Sequence, residues 1–254
     1  MSLSLRSGEG CGNSFVLACE AELQATGVGE SELGSFARIN CGQSYDGLLI
    51  VGSAAPDGAV PVRIINRDGS AGGTCLNGLR VAACASGNVD GVFVMDGRRI
   101  PWRRVAEGEF ALEVGFLDAV GIRPVVVASR KGVDVDFWNP HAVFFVAGVE
   151  DLPLLEFAAQ CDARTELFPA GVNVEMVKRI NLSTLQMRVR ERGVGETRAC
   201  GSGAVAVALA AWREGAEADL EVLMPGGGLR LRRRSDGAVS LAGRASLSDC
   251  EITA

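Results

Sequence analysis

Two short segments of this 254-residue sequence place a cysteine in the same local setting. Thr74-Cys75-Leu76-Asn77-Gly78 runs into Leu79-Arg80-Val81-Ala82-Ala83-Cys84-Ala85, and Ala199-Cys200-Gly201-Ser202-Gly203 runs into Ala204-Val205-Ala206-Val207-Ala208-Leu209-Ala210. Each is Cys-x-[Asn/Ser]-Gly ahead of a run of small and apolar residues, the pattern of a helix buried on all sides. A helix N-terminus offers unpaired backbone N–H groups and the positive end of the helix dipole, so a cysteine there is expected to have a stabilised thiolate and a lowered pKa. The adjoining glycine lets a carboxylate come close to those N–H groups. If both helix starts face one cleft, a bound carboxylate is gripped from two sides. Inverting the carbon beside it needs one acid/base group on each face, and two sulfurs satisfy this. One must be thiolate while the other is thiol, with the roles exchanging as the reaction reverses. The carbon acid is weak, so fixed N–H groups in a dry site must stabilise the developing charge. The competing readings are two inert core thiols or a structural disulfide.

Other chemistries find little support. The cysteines stand at 11, 19, 41, 75, 84, 161, 200 and 250. No two of them have the spacing of a zinc knuckle. Cys11, Cys19, Cys41, Cys84, Cys161 and Cys250 are read as structural. His141 is the single histidine, which excludes multi-histidine metal sites. A net charge of -6 and a pI near 5.0 argue against nucleic acid and anionic membrane as partners. No signal-like or membrane-spanning run occurs, so the expectation is a cytoplasmic protein with free thiols that acts on a small molecule. Gly226-Gly227-Gly228 reads as a turn between strands, not as a phosphate loop.

The elements that must position the cysteines are mostly strands. β-branched runs separated by Gly and Asp-Gly turns predict strands at 14–19, 46–51, 61–67, 91–95, 110–116, 124–128, 141–147, 173–180, 184–190, 220–224, 229–234 and 239–242. Helical patterns are fewer: 29–39, 79–85, 150–163 with Pro153 in its first turn, and 204–212. This is an α+β composition. Cys75 and Cys200 stand 125 residues apart, about half the chain, as an old duplication would leave them. The expected domains are 1–120 carrying Cys75 and 121–254 carrying Cys200, with a return of the last strands to the first domain left open.

Further segments bring a family into view. Asn66-Arg67-Asp68-Gly69-Ser70, Cys75-Leu76-Asn77-Gly78, Asn139-Pro140-His141, Val172-Asn173-Val174 and Glu191-Arg192-Gly193 through Gly203 resemble diaminopimelate epimerase in order and spacing. Gly12-Asn13-Ser14-Phe15 and Pro225-Gly226-Gly227 extend the likeness over nearly the whole chain. The resemblance implies two pseudo-symmetric domains, each a mostly antiparallel sheet rolled around a central helix, with the active site in the cleft between them. It also implies a homodimer, no cofactor and no metal, and conversion of LL-diaminopimelate to the meso form in lysine and cell-wall synthesis. Cys75 and Cys200 would be the acid/base pair, and N–H groups at Asn77, Gly201 and Ser202 would bind the reacting carboxylate. Asn13, Asn66, Asn139, Asn173, Glu191 and Arg192 would hold the amino groups and the distal end of the substrate; amides suit a zwitterion and arginine offers a fork for a carboxylate. His141, at a strand start after Pro140, is either near the site or simply hydrogen-bonded in place.

Three departures bear on the substrate. Leu76 stands where the family has Gly, adding bulk beside the reacting carbon. Gly47 replaces a Gln, and Gly171 replaces an Arg before the Val-Asn segment. A cofactor-independent racemase of another amino acid, such as histidine, is therefore the nearest alternative. Isomerisation of a cyclic metabolite with a carboxylate base and an inactive ligand-binding homologue are the others.

Overall fold

The computed structural model describes residues 3–116, 120–248 and 252–253; Cys250 lies outside them. The chain divides into two compact units, Met1–Glu113 with Ala242–Ala254, and Val114–Leu241. Both are sheets with helices on their faces, giving the α+β architecture expected. Among the described residues no helix is long and apolar enough to cross a membrane.

In the first unit, strands β1 (Ser4–Gly10), β2 (Asn13–Cys19), β3 (Gly47–Val51), β4 (Ala59–Asn66), β5 (Asp90–Met95) and β6 (Arg98–Ala106) pair in chain order. The pairings alternate: antiparallel, parallel, antiparallel, parallel, antiparallel. Helices α1 (Glu20–Ala25) and α2 (Leu33–Cys41) bridge β2 and β3, and α3 (Leu76–Ser86) bridges β4 and β5. Alternate strand residues point to opposite faces, and both faces are covered. Leu5, Val16, Leu48, Ile50 and Ile65 pack with Leu23, Leu33, Ala37 and Cys41 of α1 and α2. The other face receives α3, whose residues from Leu76 to Ala83 are all buried.

The second unit repeats this plan. After β7 (Glu109–Phe116), which pairs antiparallel with β6, strand β8 (Gly121–Val127) precedes β9 (Arg130–Phe137), β10 (Asn139–Val146), β11 (Asn173–Arg179), β12 (Thr184–Glu191), β14 (Asp219–Met224) and β15 (Gly227–Arg233). From β9 to β15 the pairings again alternate, antiparallel first. Short β13 (Gly195–Thr197) folds back on β12. Helix α4 (Leu154–Asp162) bridges β10 and β11 as α1 and α2 do in the first unit. Helix α5 (Gly201–Arg213) then leads into β14 as α3 leads into β5. Val125, Phe144, Val174 and Met176 pack with Leu154, Phe157 and Cys161 of α4, while α5 is buried from Gly201 to Trp212. The duplication seen in the motifs thus extends to the order and sense of the strands.

Several elements differ from expectation. Strands β1, β6, β9 and the short β13 were not anticipated, nor was the short α1. Helices α3 and α5 begin at Leu76 and Gly201, inside the motifs, three residues earlier than the apolar runs suggested. The turn at Gly226-Gly227-Gly228 is tighter than expected, since Met224 already pairs with Gly227.

Candidate active site

Both motif cysteines occupy the same structural position. Cys75 (φ -117°, ψ 101°) and Cys200 (φ -136°, ψ 116°) are extended residues capping α3 and α5. The Gly78 N–H donates to Cys75 Sγ at 3.3 Å, and the Gly203 N–H donates to Cys200 Sγ at 3.4 Å. Each sulfur takes the part that a Ser or Asp oxygen plays at an ordinary helix start. Helix geometry leaves the N–H groups just behind it, at Leu76 and Asn77 and at Gly201 and Ser202, without intrahelical acceptors.

In the first unit a chain of side-chain bonds fixes the first turn of α3. Arg80, 0% exposed, donates to Leu76 O and to Asn77 Oδ1 at 2.8 Å. Asn77 Nδ2 donates to Asn13 Oδ1 at 2.6 Å, and Asn13 Nδ2 donates to Asp46 Oδ2 at 3.2 Å. The direction of each bond sets which way both amides face. Burial lowers the Arg80 pKa to about 10, partly offset by the nearby thiols of Cys11 and Cys75, so it stays charged at neutral pH. Asn66, the last residue of β4, lies opposite Gly47 and donates its amide to Ser70 Oγ at 3.0 Å. Leu76 is packed at 2% exposure.

The second unit surrounds Cys200 with ionisable groups. Glu191, the last residue of β12, hydrogen-bonds with the thiol and accepts from Thr197 Oγ1 at 2.6 Å. Ser202 Oγ lies 3.4 Å from the sulfur. Asn173 Oδ1 accepts from the Arg192 N–H at 2.8 Å, and its amide donates to Pro140 O. The exposed Arg192 guanidinium donates to Ala170 O. Asn139 opens β10, half-buried, two residues before His141. His141 and Glu175 are both fully buried, with Nδ1 and Oε1 2.6 Å apart.

This environment overturns the expectation of a low pKa for Cys200. Burial, then the charges of Glu191 and Glu175, push the thiol well above its ordinary value, and the bonds from Ser202 and Gly203 offset only part of that. Burial likewise raises Glu191, against its bonds with Thr197 and Cys200. A helix terminus contributes a fraction of a charge, whereas desolvation acts on a whole one.

These geometries coincide with sequence likeness. The family model for diaminopimelate epimerase matches residues 133–248. A diaminopimelate epimerase from Geobacillus kaustophilus is 32% identical over 96% of this chain and 94% of its own length. One from Bacillus licheniformis is 31% identical over 93% of each. The chain belongs to the diaminopimelate epimerase family. It is an isomerase. Its fold is shared with a solved Pseudomonas aeruginosa structure described as a predicted epimerase, at a TM-score of 0.74 and 13% identity, covering 100% of this chain and 99% of that one.

Residues around the motif cysteines of this family member escaped the sequence reading. Glu175, Arg80, Asp46 and Thr197 were not anticipated. A signal existed for two: Glu175 interrupts the apolar run from Val172 to Val177, and Arg80 is the one charge in its buried helix. Charges in such positions are rare unless partnered. Asp46 heads the predicted strand 46–51 and Thr197 lies in the glycine-rich segment after Glu191, and neither carried a signal of a site role. Among the described residues no group of three or more His, Cys, Asp or Glu side chains could hold a metal.

Proposed function

We propose that this isomerase is a cofactor-independent two-thiol epimerase acting at an amino-acid α-carbon, with diaminopimelate as substrate. The observation that carries the reading is the equivalent capping position of Cys75 and Cys200 on corresponding helices of a duplicated chain. Cys200, held as a thiol by burial and then by its carboxylate neighbours, delivers a proton to one face of the α-carbon. Cys75, beside the Arg80 cation, removes the proton from the other. First-turn N–H groups at Asn77, Gly201 and Ser202 take the reacting carboxylate, and fixed dipoles there stabilise the carbanionic charge. Asn13, Asn66, Asn139, Asn173, Glu191 and Arg192 hold the ammonium groups and the distal carboxylate. No step needs an electron sink beyond these groups.

A specific observation supports the alternative of another amino acid. A Cβ at Gly47 would lie 2.7 Å from Ile65 O, so this backbone admits no side chain where Asn173 stands in the second unit. One amide is thereby missing from the groups available to a long zwitterion, which suits a shorter or differently charged substrate.

Incubation in deuterium oxide with diaminopimelate, histidine, lysine and ornithine decides between these. The expected result is α-deuterium incorporation and inversion with diaminopimelate, abolished in both Cys75→Ala and Cys200→Ala. Exchange confined to another amino acid refutes the substrate; turnover surviving in both variants refutes the mechanism.

A further inference from the structure

The repeat allows the surroundings of the two cysteines to be compared position by position. Phe15 is registered with Gly47 on β2 and β3, and His141 with Asn173 on β10 and β11. Two residues further along β3 and β11 stand Leu49 and Glu175. A Cβ on Gly78 would lie 2.8 Å from Leu49 Cδ2, and a Cβ on Gly203 would lie 2.8 Å from Glu175 Oε1. Phe15 and Leu49 therefore occupy, behind the first turn of α3, the places that His141 and Glu175 occupy behind α5. One half carries an apolar pair and the other a buried, hydrogen-bonded His–Glu pair, in the same backbone setting.

A buried His–Glu pair is costly compared with a well-packed apolar one, and the first unit shows that this framework accepts the apolar version. The pair also leaves His141 Nε2 and Glu175 Oε2 buried without hydrogen-bond partners. Groups so expensive to bury mark a functional constraint. Both stand close enough to interact electrostatically with Glu191, and Glu175 does so with Cys200 as well.

We propose that Glu175 is a positioning residue for His141: it holds a proton on Nδ1 and so fixes the ring and leaves Nε2 as the nitrogen available to the site. The carboxylate accepts from Nδ1–H, which leaves the buried, unpartnered Nε2 as the ring's acceptor. The orienting partner of a histidine sets which nitrogen is available, and a histidine in the wrong tautomer loses its use. This role rests on the epimerase reading proposed above.

The chain has one histidine, so imidazole nitrogen resonances of untagged protein report His141 alone. In the wild type Nδ1 is expected to carry a proton in a strong hydrogen bond, seen as a far-downfield N–H proton. Glu175→Gln should remove that signal and lower kcat by about 10- to 100-fold, as for other orienting partners, with KM changed less than about threefold. The double replacement His141→Phe, Glu175→Leu installs the pair of the first unit, and should keep the wild-type melting temperature to within a few degrees while losing activity to at least the same extent. An unprotonated Nδ1 in the wild type, or Glu175→Gln with kcat within about threefold of wild type, overturns the proposal. Failure of the wild type to exchange any amino-acid α-hydrogen instead removes the epimerase reading, and this role falls with it; the histidine spectrum separates the two failures because it needs no substrate.

Discussion

Alanine at the glycine that closes each capping motif should have opposite consequences in the two units. Within a helix Gly→Ala ordinarily stabilises by about 1 kcal/mol. At Gly203 the added Cβ would lie 2.8 Å from Glu175 Oε1, 3.3 Å from Cys200 Cβ and 3.4 Å from its Sγ. The carboxylate cannot move aside easily, being fully buried and held 2.6 Å from His141. Overpacking there costs ~1–3 kcal/mol, and weakening a hydrogen bond between charged groups costs a further ~1.5–3 kcal/mol. The net expectation for Gly203→Ala is a loss of roughly 2–4 kcal/mol, or a melting temperature lower by about 5–15 °C in a chain of this size. At Gly78 the obstacle is Leu49 Cδ2, the tip of a flexible apolar side chain, with the next contact at 3.4 Å. A rotamer adjustment of that kind costs about 1 kcal/mol, so Gly78→Ala should be neutral within about 1 kcal/mol. Thermal unfolding of both variants, with α-hydrogen exchange as the activity readout, tests the comparison. Equal melting temperatures, or Gly203→Ala retaining full turnover, would refute the claim that Glu175 is rigidly placed against α5.

Two further outcomes follow from burial and backbone geometry. Burial pushes the thiols of Cys161 and Cys41 from 9.0 up to about 12 and about 11, so the folded state keeps protons that the unfolded chain loses. Stability is then intact below pH 9 and falls above it, by up to about 1.4 kcal/mol per pH unit for each thiol until the folded pKa is reached. Urea unfolding at pH 8, 9 and 10 should show this decline, with a shallower slope in Cys161→Ala; a flat profile contradicts it. The second concerns the hairpin joining β8 and β9, where Ala128 (φ 47°) and Ser129 (φ 64°) form a two-residue turn in the left-handed region. Replacing them together by Asn-Gly should stabilise by about 1–2 kcal/mol without altering activity, and unchanged or lower stability would count against strain there.

What could be read from the sequence, and what could not, divides along physical lines. The unbroken apolar runs at 48–51 and 142–146 announced β3 and β10. β6 escaped because only Ile100 and Trp102 face inward while Arg98, Arg99, Arg103 and Arg104 line the rest. β9 escaped because its hairpin lacks the Asn-Gly or Asp-Gly signal that marks the turn at Asp96-Gly97. Helix α1, six residues long, is too short to show a period. The two cysteines stood out as helix starts in a repeated motif, whereas the asparagines entered only through the family resemblance, since at turns and element ends their own sequence setting reads as turn chemistry. The raised pKa of Cys200 was not: the local rule for a helix start gave the opposite sign, and the groups that reverse it, Glu191 and Glu175, arrive from two other strands.

The duplication gives this difference between halves a meaning. Two copies of one framework began with one set of surroundings, yet Gly47 now answers to Asn173, Leu49 to Glu175, Phe15 to His141, Asn66 to Glu191, and Arg80 to Val205 at the fifth position of the capped helix. The first unit keeps a buried cation, Arg80, whose charge interacts with Cys75 and Cys11. The second surrounds its cysteine with carboxylates, which favour the thiol. Acid and base roles are separated when environments push two titratable groups apart. A pair of thiols in identical surroundings would have no such preference, and much of the enzyme would rest with both sulfurs in the same protonation state. Under the two-thiol mechanism proposed above, surroundings that differ in this way set the two cysteines apart, with the Cys200 half favouring the thiol.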